Sequence, residues 1–597
     1  MFVYYVKDLP RPEKFTERTL AESTKIYDRS GQVLLYEIYG EEKRTFKPLS
    51  EIPEHLVQAV IAAEDIAFYK HFGIDFKSMA RSALINLRIG KPLYGGSTIS
   101  QQLIRSTFLT LEKTPKRKIR EIILTLELER RYGKDQILEW YLNQVPFGQN
   151  SYGVEAASQT YFQKPVSETS LAEASALAAL IQAPSYLSPY GEHKQVLLEK
   201  KNIVLDRMVR AGFLTKEQAQ KAKEEELPFA KISQSIKAPH FTLWVRDYLE
   251  EKYGEPFLRE KGLRVYTSLD WDLQELAEKA VAEVSARNTA LQAHNAALVA
   301  TNPQSDEVLA MVGSKNWFGD PYPENCLPGK NCLFDPYPNV ALSLRQPGSA
   351  FKPFVYATAF QNGYDDNYVV VDEETNFGVW GSKPYIPQNY DGRFRGPVTL
   401  RQALAQSLNV PSVKVLAYLA GLNDSIQTAK NFGITTLNQP SSFYGLALVL
   451  GGGEVKLLDM VAAYGVFATQ GVYIPPVNIL KIEDSQGNII EENKKAPRRV
   501  IEREPTMLIT DILSDNEARS PIFGPRSPMY FENYQVAAKT GTTEDFKDGW
   551  IVGYTPSLVA GVWVGNNDNT PMLREPGIVL AGPIWRMFMD GALAKTF

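Results

Sequence analysis

The chain has 597 residues, 44% of them apolar and 22% charged, with a net charge of −4 at pH 7. It is too long for a single hydrophobic core, its composition is that of folded globular protein, and its balance of charge presents no global basic field to nucleic acid. No apolar run reaches the roughly 18 residues that a membrane-spanning helix needs.

Met1-Phe-Val-Tyr-Tyr5 is apolar and passes abruptly into KDLPRPEKF, which fits the stub of a membrane helix as well as an ordinary apolar start. Residues 24–38, TKIYDRSGQVLLYEI, alternate about Arg29-Ser30-Gly31-Gln32 and predict a hairpin. From Pro53 to about Leu214 the period changes. HLVQAVIAAED, FKSMARSALINLRIG, RKIREIILTLELERRY, KDQILEWYLNQV and LAEASALAALIQA all place apolar residues at helical spacing and predict an all-α block. In the third of these, Ile119, Ile122, Ile123 and Leu126 are expected to form the buried stripe, with Lys118 and Glu121 on its polar flank. Residues 215–261 are charged and read as a connector. GLRVYTSLD and AALVATNPQSDEVLAMVG then predict strands, helices follow near 350–363 and 399–420, and YQVAAKTGTT with DGWIVGYTPSLVAGVWVGN predict paired strands, so the C-terminal half is mixed α and β. Cys326 and Cys332, the two cysteines, flank Leu-Pro-Gly-Lys-Asn and predict a small disulfide, given an oxidising compartment.

The chemistry centres on QPGSAFKPF. Ser349 and Lys352 stand one helical turn apart, so both side chains share a face. A serine hydroxyl needs a neighbour to activate it, and the five histidines stand in no recognisable triad, which leaves lysine as the base. Lys352 can act so only if burial or a second cation lowers its pKa. Gly348 turns the chain into the helix start, where converging N–H groups favour developing negative charge. No other Ser-x-x-Lys occurs, and Lys539-Thr540-Gly541 is also unique, on a strand whose edge could pair with a peptide. Ser-x-Asn occurs three times: Ser314-Lys-Asn316, Ser407-Leu-Asn409 and Ser514-Asp-Asn516.

In that order the three elements resemble the transpeptidase motifs of class A penicillin-binding proteins, the bifunctional cell-wall synthases. The family's spacing selects Ser407 and Asn409, since 407 − 349 is 58 residues. The resemblance implies that Ser349 attacks the carbonyl of a D-Ala-D-Ala stem peptide and Lys352 takes its proton. Ser407 relays that proton, Asn409 orients the substrate amide, Lys539 supplies positive field, and Thr540 and Thr542 meet the terminal carboxylate. The N–H groups of Ser349 and Thr542 form the oxyanion hole. β-Lactams are then inhibitors. A β-lactamase or carboxypeptidase that hydrolyses the acyl-enzyme, and a penicillin-sensing receptor, are the competing classes.

EDIAFYKHFGID, GGSTISQQL, RKIRE with TLELE, and ILEWYLNQVPFG are similar, in order, to the motifs of lysozyme-like peptidoglycan glycosyltransferases. Glu64 follows an apolar run and Glu121 stands among Arg117, Lys118 and Arg120, and two acids in different environments suit two roles. The resemblance implies that Glu64 is the general base toward the acceptor lipid II, and that Glu121 assists at the donor pyrophosphate. It further implies that Arg105, Arg117 and Lys118, with a divalent Mg or Mn ion left open, neutralise the phosphates, and that Asp65, His71, Ser97, Thr98, Gln101 and Gln102 shape the groove. The chain departs from the family at Arg105-Ser106, where Lys-Asn is usual, at Ser100, where Thr is usual, and at KKNIVL (200–205), where two arginines are favoured.

The expected architecture is therefore a membrane-proximal segment with a hairpin (1–45), a lysozyme-like all-α glycosyltransferase domain (46–214), a linker (215–261) and a β-lactamase-like α+β transpeptidase domain (262–597). Lipid II, the glycan strand, stem peptides, the membrane and other cell-wall synthesis proteins are the implied partners, with no nucleic acid and no cofactor for transpeptidation. The implied location is the extracytoplasmic face of the cytoplasmic membrane in a bacterial envelope.

Overall fold

The computed structural model describes residues 24–38, 46–77, 80, 97–108, 115–149, 151–191, 193–230, 236–254, 257–258, 262–380 and 383–596. In chain order the elements used below are β1 (Thr24–Tyr27), β2 (Leu34–Ile38), α1 (Glu54–Glu64), α2 (Ile99–Phe108), α3 (Pro115–Arg131), α4 (Lys134–Gln144), α5 (Val154–Phe162), α6 (Leu171–Leu180), α7 (Lys194–Ala211) and α8 (Pro239–Tyr253). They continue with β3 (Arg264–Thr267), α9 (Trp271–Asn288), β4 (Asn295–Asn302), β5 (Glu307–Val312), α10 (Lys352–Gln361), α11 (Asn409–Lys414) and α12 (Leu457–Ala468). Last come β6 (Ile479–Glu483), β7 (Ile489–Glu492), α13 (Arg503–Ser514), β8 (Ala537–Thr542), β9 (Asp548–Tyr554), β10 (Val559–Gly565) and α14 (Gly582–Thr596).

Helices α1 to α7 enclose one apolar cluster. α6 is its central rod: Ser170 and Glu173 close a reciprocal cap at its start, and its run of Ala and Leu lets α1 and α7 approach from either side. The expected helix FKSMARSALINLRIG falls largely outside the described residues. On α3 the expected stripe is not the buried face. Ile119 is 58% exposed and Ile122, Ile123 and Leu126 are half-buried, whereas Glu121, Leu124, Thr125 and Leu128 are buried. The reason is that α3 packs on α2 through Leu124 and Leu128, one and two turns beyond Glu121, and the burial of Glu121 is offset by the cations of Arg117 and Lys118 beside it.

β1 and β2 form the expected antiparallel hairpin, with the Asp28 carboxylate accepting from Ser30 Oγ and from the Val33 N–H. The hairpin does not stand apart. Its sheet runs β7-β6-β3-β1-β2, with β1 parallel to β3, so strands separated by more than two hundred residues complete one layer. Within 215–261, α8 buries Phe241, Val245 and Leu249 in the same apolar cluster as this sheet.

The second sheet is antiparallel in the order β8-β9-β10-β4-β5. β9 and β10 are buried along their whole length because helices cover both faces: α9 and α14 with Trp585 and Phe588 on one side, α12 with Met460 and Tyr464 on the other. β8, which carries Lys539-Thr540-Gly541, is an edge strand. Cys326 and Cys332 are joined in a disulfide in the long loop after β5.

Candidate active site

Ser349 is half-buried in the tight turn Gly348–Phe351 that leads into α10, and Lys352 is the first residue of that helix. The turn is wedged against the edge strand β8, and two glycines allow it. A Cβ on Gly348, whose φ is +55°, would lie 2.5 Å from the Thr542 carbonyl oxygen, and one on Gly541 would lie 2.2 Å from the Pro347 carbonyl oxygen. Trp550 Nε1 donates to the Gln346 carbonyl at 2.8 Å and Tyr464 Oη to the Ala350 carbonyl at 2.7 Å, which pins the turn from both sides.

Lys352 is fully buried, and its Nζ reaches the Ser407 carbonyl (2.7 Å), the Leu408 carbonyl (3.1 Å), Asn409 Oδ1 (2.8 Å) and Ser407 Oγ (3.5 Å). Lys539 Nζ lies 2.7 Å from the same Ser407 Oγ and donates to the Thr540 carbonyl. One hydroxyl is thus shared by two buried amines. Burial, and then the charge of Lys539, push the Lys352 amine well below its ordinary range, while burial alone brings Lys539 down to about 7. Ser407 is held there in a left-handed backbone conformation, φ 60°, which a serine adopts only at a cost. Of the three Ser-x-Asn candidates it alone meets Lys352 and Lys539: Ser314 Oγ bonds the Pro336 carbonyl, and Ser514 Oγ bonds the Asp511 carbonyl at the end of α13. Asn409 Nδ2 donates to the Gln388 carbonyl and its backbone N–H to Asn389 Oδ1, so its amide orientation is set. Thr540 is buried, and Thr542 Oγ1 accepts from the Gly577 N–H at 2.8 Å.

The helical block holds the second constellation. Glu64 ends α1, with Oε2 accepting from Gln102 Nε2 at 2.7 Å and Oε1 buried without a hydrogen-bond partner among the described residues. Burial raises its pKa above the ordinary carboxylate value, and the Gln102 bond with the charges of Arg207 and Arg105 opposes this only in part. Gln102 is held in turn by Tyr141 Oη, 3.0 Å from its Oε1. Asp65 and His71 face each other, with His71 Nε2 3.0 Å from both carboxylate oxygens, and Asp65 also accepts the Ile99 N–H at the start of α2. Thr98 and Gln101 cap each other's backbone N–H there, and Thr98 Oγ1 donates to the Gly73 carbonyl. Glu121 is 1% exposed, bonded by Lys118 Nζ and 3.6 Å from Arg117, and Lys118 also reaches Ser97 Oγ at 3.4 Å. Arg105 is exposed at the end of α2.

Sequence reasoning missed three neighbours of Glu64: Tyr141 on α4, Gln182 after α6, and Arg207 on α7, whose NH1 donates to the Ala63 carbonyl. The departure at KKNIVL was the available signal. Lys201 turns away, to the Ala222 and Lys223 carbonyls, Lys200 bonds Gln182 Oε1, and Arg207 farther along α7 supplies the guanidinium.

Among the described residues no three His, Cys, Asp or Glu side chains gather where they could hold a metal ion, and the side chains against Glu121 are the cations Lys118 and Arg117. This donor set does not fit a divalent ion.

The structure thus sets a half-buried serine and a buried lysine beside a sheet edge in an α+β region, and two carboxylates in the helical block before it. Residues 31–209 match the family model described as transglycosylase and residues 296–590 that of the penicillin binding protein transpeptidase domain. The chain belongs to the class A penicillin-binding proteins, enzymes that are both peptidoglycan glycosyltransferases and D,D-transpeptidases. Over 98% of its length it is 32% identical to penicillin-binding protein 1A of Aquifex aeolicus, covering 88% of that protein, and over 96% it is 33% identical to penicillin-binding protein 2D of Bacillus subtilis, covering 80% of it. Its fold is like that of penicillin-binding protein 1A from Haemophilus influenzae, with a TM-score of 0.56 and 22% identity over 97% of this chain and 93% of that one. It is also similar to PonA1 from Mycobacterium tuberculosis, with a TM-score of 0.50 and 26% identity over 60% of this chain and 92% of that one.

Proposed function

We propose that Ser349 is the acylated nucleophile and Lys352 its base, with Ser407 and Lys539 completing the proton path, and that Glu64 is the base of glycosyl transfer. The single observation that carries the first assignment is the Ser407 hydroxyl shared by Lys352 and Lys539. Two amines that close in a dry site cannot both hold a proton readily, so Lys352 rests neutral at working pH. Ser349 Oγ forms its bond to the penultimate D-alanine carbonyl while its proton passes to Lys352 Nζ. The tetrahedral oxygen is received by the N–H groups of Ser349 and Thr542, which the Gly348 and Gly541 contacts bring together. The C–N bond to the terminal D-alanine breaks, and its nitrogen takes the proton by way of Ser407. An acceptor amine then attacks the ester, gives up a proton along the same path, and restores the serine. Asn409 orients the substrate amide and holds Lys352; Thr540, Gly541 and Thr542 offer the edge of β8 to the peptide and its carboxylate.

In the helical domain the free Oε1 of Glu64 takes the proton of the acceptor sugar hydroxyl, with Gln102 holding the other oxygen. Arg105, Arg117 and Lys118 meet the lipid-linked pyrophosphate, and Glu121 holds Lys118 and Arg117 in place from beneath, with no step through a metal. Asp65, His71, Ser97, Thr98 and Gln101 set the wall of the groove. We keep 46–214 and 262–597 as the two catalytic units, supported by separate apolar clusters, and place the protein at the extracytoplasmic face of the cytoplasmic membrane. The disulfide suits an oxidising compartment and the substrate is a membrane lipid, although no described helix is long and apolar enough to cross a membrane.

Purified protein given lipid II tests this. Glu64→Gln is expected to stop glycan formation while keeping fluorescent-penicillin labelling, and Ser349→Ala to make glycan with neither cross-links nor label. A labelled Ser349→Ala protein overturns the nucleophile, and undiminished polymerisation by Glu64→Gln overturns the base.

A further inference from the structure

Away from both sites lies a cavity of about 450 Å³ between α8, α9, the end of β5 and the loop Ser314–Phe318. β5 is the sheet edge opposite β8, so four strand spacings of about 4.8 Å, roughly 19 Å, separate this wall from Lys539–Thr542. The volume is within the roughly 300–1,000 Å³ of small-ligand sites.

Two charged side chains in its wall lack the opposite charge that their surroundings call for. Glu278 accepts only from Gln274 Nε2, at 2.8 Å, and no cation pairs with it among the described residues. Gln274 is itself fixed by two bonds to the Met311 backbone, 2.8 and 3.1 Å, so the carboxylate is oriented rather than loose. Lys315 pairs with no carboxylate among the described residues, and its Nζ stands 4.5 Å from the Phe334 ring. Trp317, 6% exposed with its Nε1 shut away from solvent, is a rigid part of the wall, its ring locked edge-on against His240 and Tyr337 at 4.8 and 5.3 Å. Burial disfavours the charged form of both Glu278 and Lys315, so each gains when an opposite charge arrives. The alanines of α9, Ala282 and Ala286, supply an apolar wall between these groups.

We infer that this cavity is a second ligand site, for a short peptide with a free ammonium and a free carboxylate: the ammonium meets Glu278 and the carboxylate meets Lys315. A single ammonium matches a monovalent carboxylate; a phosphate would call for more donors.

The test uses the full chain with Ser349 blocked by penicillin, and calorimetric titration with L-Ala-L-Leu-L-Ala, its N-acetyl form and its C-terminal amide. Saturable one-to-one binding of the free-ended peptide is expected, weakened about tenfold or more by either block, since each removes a charge-assisted bond. Glu278→Gln is expected to erase the discrimination against the N-acetyl peptide and Lys315→Met that against the amide, with penicillin labelling unchanged in both. Equal titrations for the three peptides, no saturation up to about 10 mM, or discrimination that survives both substitutions overturns the site.

Discussion

Replacing Lys539 by methionine removes one of two buried amines and leaves the other with nearly the same packing. Lys352 Nζ and Lys539 Nζ lie 3.5 and 2.7 Å from Ser407 Oγ, so they are no farther apart than about 6 Å. At an effective dielectric of about 20, a unit charge at that distance is worth about 3 kcal/mol, or about two pH units. In the native chain Lys539, lowered to about 7, carries its charge as the pH falls below neutrality and keeps a proton off Lys352. Without it only burial depresses Lys352, whose pKa therefore rises. Acylation needs the neutral amine, so the acid limb of the rate against pH is expected to move upward by one to two pH units. Stopped-flow acylation by a fluorescent penicillin from pH 5 to 10 measures it. Loss of carboxylate recognition lowers the whole profile but does not displace the limb. A Lys539→Met profile that is lower at every pH with its limb in the native position would refute the charge coupling.

Gly541→Ala puts a methyl 2.2 Å from the Pro347 carbonyl and pushes the nucleophile turn off β8; penicillin acylation is expected to fall by at least about a hundredfold while glycan polymerisation is unchanged. Asp306, in the β4–β5 turn with both carboxylate oxygens buried and unbonded, is raised by burial to about 7 from the ordinary 3.8. A raised carboxyl stabilises fully below its unfolded value, and that stability drains away as the pH climbs to 7. Asp306→Asn, which accepts the positive φ of 48° at this position, is therefore expected to be little changed in melting temperature near pH 4 and several degrees more stable at pH 8, a difference of a few kcal/mol that calorimetry at the two pH values reads directly.

The proposed transpeptidase residues were legible because each pair is local: Ser349 and Lys352 are one turn apart, Ser407 and Asn409 are neighbours, and Lys539 to Thr542 share a strand. The proposed glycosyltransferase site was legible only in part. Glu64 could be read from its apolar run, but Tyr141 comes to it from α4, Gln182 from the turn after α6 and Arg207 from α7, and only the departure at KKNIVL hinted at the last of these. On α3 the isoleucines and the Glu121–Leu124–Leu128 line are two overlapping helical stripes. Periodicity registers both, and the packing of α2 selects the one that buries a carboxylate. The hairpin was read correctly as a hairpin, but a sheet built with strands from residues 264–267 and 479–492 cannot be seen in local alternation.

What the chain determined by itself is its chemistry: a serine with a lysine one turn on, a Lys-Thr-Gly strand, and two acids in unlike settings, all carried by short-range spacing. What only the tertiary structure supplies is the meeting of Ser407 with both Lys352 and Lys539, and the burial that lowers the Lys352 amine. Both depend on burial and on a second amine contributed 187 residues later, 539 − 352, and a pKa is set by distance and dielectric, which no local pattern specifies.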